Sequence, residues 1–241
     1  IAASLIEQDL PEPGLALARL ALWTAPEHAP AIITTAKALG KLSGGREAVA
    51  LLDNIPSTSP YWTRTVFAKA ALLRDIGDGN AAVELTRLSF DKNVKSAARA
   101  TLLGQMLQQN GRLEEAIAQY RTAMKLDDFK RQAPQSRASF HIMLASALDK
   151  NGSWQDAQRE LQNAITLDPS NASALNYLGY GMLERGDDMA QAEAFVRRAY
   201  ETEPTSSAYA DSLGWALYKS GKFNDAVTML EKAAAAEQGD A

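Results

Sequence analysis

The segment from Ala138 to Pro169 has the clearest hydrophobic pattern in the chain, and it predicts two helices joined by a tight turn. Its inward positions recur at i, i+3, i+4 and i+7, the spacing of one face of an α-helix. In the first predicted helix these positions are His141, Leu144, Ala145 and Leu148. In the second they are Ala157, Leu161, Ala164 and Ile165. The turn Asn151-Gly152-Ser153 lies between the two helices.

The same order of helix, turn and helix recurs along the chain. Each first helix carries a small residue where it is expected to pack closest against a neighbour: Ala36, Ala70, Gly104, Ala145, Gly179 and Gly214. The intervals are 34, 34, 41, 34 and 35 residues. A second series marks the second helices: Ala48, Ala82, Ala116, Ala157, Ala192 and Ala226. A polar insertion at 127–137 accounts for the longest interval, and one extra residue at 186–190 accounts for the last.

This period divides the chain into repeats and defines its predicted domain organisation. Six full repeats are expected at about 29–62, 63–96, 97–137, 138–171, 172–206 and 207–240. Residues 1–28 fit the end of another repeat, so we interpret 1–241 as a single array that begins in the middle of a repeat. Arrays need polar end repeats to cover their terminal apolar faces. We therefore expect the chain to be a fragment of a longer array.

Glycine-containing turns separate the two helices of each predicted repeat. They lie at Gly44-Gly45, Gly77-Asp78-Gly79, Asn110-Gly111, Asn151-Gly152, Gly186-Asp187 and Ser220-Gly221. Glycine adopts the left-handed backbone conformation that ends a helix at little steric cost. These glycines are therefore expected to end the first helices.

The later repeats resemble the tetratricopeptide repeat (TPR) family. Residues 176–180 read Asn-Tyr-Leu-Gly-Tyr, and residues 211–218 read Asp-Ser-Leu-Gly-Trp-Ala-Leu-Tyr. Alanines and a proline of the family pattern follow them at Ala192, Ala199, Pro204, Ala226 and Ala233. Repeats before residue 97 match less closely, with Lys69 at a usual leucine position. The resemblance implies an all-α, right-handed superhelical solenoid of stacked antiparallel helix pairs.

The strings at 176–180 and 211–218 also resemble long bacterial TPR adaptor proteins of the cell envelope. This narrower resemblance implies a periplasmic or outer-membrane-associated protein, with a cytoplasmic location as the alternative. The chain has no cysteine, which excludes disulfides and thiolate chemistry within it but fits either compartment.

Composition and motifs argue against nucleic-acid binding, a membrane span and catalysis. A net charge of −4 and a pI near 5.3 disfavour nucleic-acid binding, and no apolar run reaches the roughly 18 residues of a membrane span. His28 lies in a polar linker, and His141 lies on the inner stripe of its helix without a nucleophile pattern around it. A packing role for His141 is therefore favoured over a catalytic one. We predict a non-enzymatic protein with no cofactor and no metal site.

The first helix of each repeat in a TPR-like array lines a concave groove, and the residues beside the small position face it. The predicted partner-binding residues are Gln105, Asn176, Tyr180, Asp211, Trp215 and Tyr218. Rings supply contact area and amides bond a peptide backbone. The alternative is that Tyr180 and Trp215 only pack between adjacent repeats. Asn176 and Asp211 stand where chaperone-binding TPR proteins carry basic residues, so an acidic carboxyl terminus is not the expected ligand.

The predicted function is a non-catalytic scaffold or adaptor that holds a segment of a partner protein or peptide in this groove. Two other functions stay open at this point. One is self-assembly, in which uncovered end faces stack on one another. The other is service as a helper domain of an enzyme, or of a secretion or envelope assembly complex.

Overall fold

The computed structural model describes residues 1–92 and 96–239, which form fifteen α-helices and no β-strand. The helices are α1 (Ala2–Glu7), α2 (Pro11–Thr24), α3 (Ala29–Lys41), α4 (Gly45–Leu52), α5 (Trp62–Asp75), α6 (Gly79–Lys92), α7 (Ala97–Gln109), α8 (Leu113–Lys125), α9 (Asp127–Lys130), α10 (Pro134–Lys150), α11 (Trp154–Leu167), α12 (Ala172–Arg185), α13 (Met189–Thr202), α14 (Ser207–Lys219) and α15 (Phe223–Gly239). Residues 93–95 of the predicted repeat 63–96, and residue 240 of the last repeat, lie outside the described residues. Within the described ranges, no helix is both long enough and apolar enough to cross a membrane.

The helices are grouped in two compact units, Ile1–Lys130 and Arg131–Ala241. In the first unit α1 packs on α2, α3 on α4, α5 on α6 and α7 on α8, with the short α9 against α7 and α8. In the second unit α10 packs on α11, α12 on α13 and α14 on α15. Each unit is therefore built from pairs of helices that are neighbours in the chain. Successive pairs pack mainly through the second helix of one pair and the first helix of the next, as in α2 with α3 and α13 with α14, and also through their first helices, as in α12 with α14.

Local sequence explains where many helices begin. Proline stands in the first turn of α2, α3 and α10, where its missing N–H costs nothing. Asn171 caps α12 by accepting a 3.0 Å hydrogen bond from the backbone N–H of Ala174. Asp188 caps α13 in the same way from Gln191, also at 3.0 Å. Each cap satisfies a backbone donor that the helix itself leaves unpaired.

The small-residue series lies at the contacts between helices, as the pattern predicts. The alanines of both series are 0% exposed except Ala226, which is 2% exposed. A Cβ added to Gly104 would stand 2.6 Å from a ring carbon of Tyr120. One added to Gly179 would stand 2.8 Å from the carbonyl oxygen of Ala192. Both distances are far below van der Waals contact, so these helices approach too closely for any side chain at either position.

The predicted turn at Gly44-Gly45 is wrong in detail. The left-handed residue is Ser43, with φ of 71°, whereas Gly44 has φ of −85° and Gly45 begins α4. Gly45 has a different role, because a Cβ there would lie 2.4 Å from Cγ2 of Ile76. In the later turns a glycine does take the left-handed conformation, as at Gly152 with φ of 78°.

His141 lies in the interior of its repeat. The residue is 8% exposed, and its Nδ1 lies 2.6 Å from Oε2 of Glu160 on α11. The contact joins the two helices of one pair. His141 therefore links α10 to α11, and its packing role stays the interpretation that its place on the inner stripe favours.

Candidate partner-binding face

Five of the six predicted binding residues lie on two helices of the second unit that pack against each other. Asn176 and Tyr180 are on α12, and Asp211, Trp215 and Tyr218 are on α14. Residues three or four apart lie on one side of a helix, so Glu184 extends the row on α12. We call these six residues the α12/α14 face: Asn176, Tyr180, Glu184, Asp211, Trp215 and Tyr218.

The sixth predicted residue, Gln105, belongs to the other compact unit. It lies on α7 and is half-buried. The α12/α14 face is defined from the second unit alone, so Gln105 forms no part of it. Its role in binding stays a prediction.

Trp215 is fixed by contacts on several sides. Its Nε1–H donates a 2.9 Å hydrogen bond to Oε1 of Glu184, which joins α14 to α12. Its ring stacks on that of Tyr218, with centroids 5.5 Å apart and an interplanar angle of 13°. The Nζ of Lys219 lies 4.9 Å from the centre of the Trp215 ring. Trp215 therefore does pack between adjacent repeats, and it is half-buried.

Tyr180 and Tyr218 differ from Trp215 in how much surface they expose. Tyr180 is 40% exposed and Tyr218 is 51% exposed. The Tyr218 ring also contacts the Phe223 ring edge to face, with centroids 5.6 Å apart. The face thus presents two accessible rings on a backbone that helix packing keeps in place. Such rings give large contact area for little loss of side-chain freedom.

Asn176 brings an unused hydrogen-bond acceptor to the face. The residue is half-buried, and its Oδ1 is buried without a hydrogen-bond partner among the described residues. An unpaired buried acceptor costs about 1–3 kcal/mol. The oxygen is closed to solvent, so the Asn176 side chain would have to turn before a ligand N–H could remove that cost.

Two carboxylates, those of Glu184 and Asp211, contribute negative charge beside Tyr180. Burial raises the pKa of the Tyr180 hydroxyl, and the nearby carboxylates of Glu184 and Asp211 raise it further. Tyr180 therefore stays a neutral hydrogen-bond donor at physiological pH. Asp211 is exposed and forms no ion pair with any residue that the structure describes.

Sequence reasoning missed Glu184, which both orients Trp215 and contributes charge. Its spacing was a usable signal, since Asn176, Tyr180 and Glu184 follow each other at intervals of four. The hydrogen bond to Trp215 was not predictable, because it joins residues 31 positions apart in the chain.

Solved structures define the class of fold. MamA matches with a TM-score of 0.60 and 22% identity, over 71% of this chain and 95% of that one. The C-terminal part of a TPR repeat-containing protein from Cytophaga hutchinsonii gives 0.67 and 13% identity, over 98% and 91% of the two chains. A chain of the APC/C hetero-tetramer Cut9–Hcn1 gives 0.64 and 14%, over 88% and 40%. The protein is an all-α helical-repeat solenoid.

Sequence relatives identify the repeat. Residues 100–129 and 142–207 match the tetratricopeptide repeat family. A TPR repeat-containing protein of Pseudomonas aeruginosa is 33% identical over 85 residues, which are 35% of this chain and 14% of that protein. Protein O-mannosyl-transferase Tmtc1 of Drosophila melanogaster is 28% identical over 130 residues, or 51% and 15% of the two. Residues 100–129 and 142–207 are therefore similar to tetratricopeptide repeats, and the chain spans a small part of the length of these two relatives.

Proposed function

We propose that the chain is a non-catalytic protein-interaction scaffold whose α12/α14 face binds an extended segment of a partner protein. The observation that carries the proposal is the pair of exposed rings, Tyr180 and Tyr218, fixed beside the unpaired acceptor of Asn176. Aromatic anchors dominate the energy of many protein interfaces. The fold supports the same function, because one structural relative comes from a hetero-tetramer.

The chemistry of the face favours a partner segment with positively charged side chains. Glu184 and Asp211 flank Tyr180 and supply negative charge. The face of an aromatic ring also attracts cations, and Lys219 already lies over Trp215 within the chain. A lysine or arginine of the partner would find a ring and a carboxylate together, while the amide of Asn176 would bond the partner's backbone.

The test is an affinity capture of partners by the wild-type chain and by a Tyr180→Ala/Tyr218→Ala variant, read by mass spectrometry. Each ring at the centre of an interface contributes about 2 kcal/mol, so the variant should lose the specific partners. Trp23→Ala is the matched control, since Trp23 is an exposed aromatic residue of α2 in the first unit. Unchanged capture by a folded double variant would refute the proposed face.

A charge reversal tests the preference for a basic segment separately. Asp211→Lys should weaken binding of a captured partner by about twofold to fivefold, because exposed ion pairs are worth only about 0.2–1 kcal/mol. Glu231→Lys on α15 makes the same change of charge at another exposed site. Equal affinity in the two variants contradicts the basic segment but leaves the scaffold function standing.

Self-assembly is the second candidate, and an apolar stripe on α15 favours it. Phe223, Val227 and Leu230 are 59%, 54% and 37% exposed, and their spacing places them on one side of the helix. Sedimentation analysis across a concentration series separates the two functions. An oligomer that Val227→Lys dissociates supports self-assembly, whereas a monomer that still captures partners supports the α12/α14 face.

A further inference from the structure

The first unit contains a cavity that none of the predicted binding residues touches. It has a volume of about 620 Å³ and lies among α1, α3 and α5. Its apolar lining includes Ala3, Ile6, Ile33, Phe67, Ala68 and Ala71. Ligand pockets in proteins typically measure about 300–1,000 Å³ and have mainly apolar walls. The cavity has the size and the lining of a binding site.

The two threonine hydroxyls of the lining already form hydrogen bonds within the protein. The hydroxyl of Thr34 donates to the carbonyl oxygen of Pro30 at 2.7 Å. The hydroxyl oxygen of Thr63 accepts a 2.7 Å hydrogen bond from Arg99. What these walls offer a ligand is therefore apolar contact, with Phe67 half-buried and available at the surface.

The cationic side chains at the cavity have no ion-pair partner among the described residues, whereas other cationic side chains on the same helices do. Lys37 on α3 and Arg64 on α5 are exposed and line the cavity, and neither forms an ion pair within the part of the chain that is described. By contrast, Lys41 on α3 pairs with Asp9 at 2.7 Å, and Lys69 on α5 pairs with Asp53. Two cations thus remain available where an apolar pocket opens.

Glu7 on α1 is the third charged residue of the lining. Two cations against one carboxylate leave a positive balance at the cavity. An incoming acidic side chain is therefore attracted on balance, and it would lie toward α3 and α5 rather than toward α1.

We propose that this cavity is a second peptide-binding site, which takes a large apolar side chain of a partner segment with an acidic side chain next to it. The apolar side chain fills the space over Ile33 and Ala68, both less than 10% exposed. The carboxylate pairs with Lys37 and Arg64. The site takes from the proposed function only that the chain binds proteins, and it uses no residue of the α12/α14 face.

A peptide array probed with the full 241-residue chain tests this site. The probes are N-acetylated, C-amidated octapeptides with Leu, Ile, Met or Phe at the centre, flanked by Glu, Gln or Lys. We expect Glu-flanked probes to bind best, and added salt to reduce their advantage because it screens exposed ion pairs. Equal binding of Glu-flanked and Gln-flanked probes would overturn the proposal, as would binding that requires a free carboxyl terminus.

Variants connect the preference to the cavity. Lys37→Glu/Arg64→Glu changes two exposed side chains and should shift the preference from Glu-flanked to Lys-flanked probes by about tenfold, since each reversed exposed pair changes affinity several-fold. Arg46→Glu/Lys125→Glu makes the same charge change at exposed sites of the same unit outside the cavity. A similar shift in both double variants would show a general charge effect and would overturn the site.

Ala71→Trp addresses the apolar half of the site by filling the cavity. It should abolish binding of every array probe that the wild-type chain retains, while a thermal melt reports whether the chain still folds. Tyr180→Ala/Tyr218→Ala should leave these probes unaffected. Loss of probe binding in that variant, with binding retained in Ala71→Trp, would place the peptides on the α12/α14 face and overturn the proposal for the cavity alone.

Discussion

The cavity of the first unit and the α12/α14 face carry different kinds of side chain at equivalent positions of the repeat. One residue after the small position, α3 and α5 carry Lys37 and Ala71, whereas α12 and α14 carry Tyr180 and Trp215. The short side chain of Ala71 leaves space where Trp215 fills it. The same place in the repeat therefore yields a cavity in one unit and an aromatic surface in the other.

The position three residues before the small residue shows the same inversion. The first unit has Ile33 and Phe67 there, which line the cavity, and the second unit has Asn176 and Asp211. An apolar wall with cationic neighbours in one unit corresponds to polar, acidic groups in the other. The repeat fixes which positions are presented together, and the side chains alone decide what they recognise.

The largest effect expected from this comparison concerns the small position itself, which is alanine in α3 and α5 but glycine in α12 and α14. Gly179→Val should destabilise the protein by about 3 kcal/mol, because its side chain would meet a backbone oxygen that cannot move aside. Ala70→Gly in α5 should cost about 1 kcal/mol from lost helix propensity. Urea unfolding measures both. Equal costs would mean that the helices of the second unit do not need their closer approach.

A second contrast concerns charged contacts, which are more buried in the second unit. Glu193 is 8% exposed and accepts hydrogen bonds from Lys222, Arg197 and Ser220. It stands at the repeat position that Val83 and Ile117 occupy in the first unit. Glu193→Gln should destabilise the protein by about 1–2 kcal/mol, since it weakens charge-assisted hydrogen bonds. An ion pair of the first unit, Lys41 with Asp9, is by contrast largely exposed, so Asp9→Asn should have little effect.

The pH dependence gives Glu193 a signature of its own. Burial raises its pKa, but hydrogen bonds from Lys222, Arg197 and Ser220 outweigh burial, so the pKa lies below the ordinary value of 4.5. A carboxylate with a lower pKa in the folded state stabilises the fold above its unfolded pKa, and that stabilisation is lost as the pH falls through the folded pKa. Thermal melts of wild type and Glu193→Gln should therefore converge below pH 4.5. A constant gap between them would contradict this assignment.

The smallest expected effect compares equivalent turns. Ser43 and Gly152 both have positive φ, at 71° and 78°, but only Gly152 suits that conformation. Ser43→Gly should stabilise the protein by about 0.5–1 kcal/mol, and Gly152→Ala should destabilise it by about 1 kcal/mol. Nothing lies within 4 Å of a Cβ at Gly152, so its effect is one of backbone conformation alone. Denaturation midpoints that move in the same direction for both variants would contradict this reason.

The fold was predictable because its signals are local and repeated. Helical spacing, turn glycines and a period near 34 residues all depend on residues close together in the chain. Because the pattern occurs in six copies, it can be recognised even where a single repeat matches poorly. The sequence did not predict that Ser43 takes the left-handed conformation, because the neighbouring Gly44 and Gly45 are the residues that usually do so. Gly45 is needed for close packing on Ile76, and no local pattern distinguishes that need from a turn.

Of the candidate sites, the sequence alone determined the rows of side chains, and the tertiary structure decided how they meet. Spacing placed Tyr180, Asp211, Trp215 and Tyr218 on first helices of adjacent repeats. Only packing showed Trp215 bound to Glu184, or a cavity beneath Lys37 and Arg64. The physical reason is that helical periodicity records which side of a helix a residue occupies. The space and charge between helices depend on side chains more than 30 residues apart, which periodicity does not record.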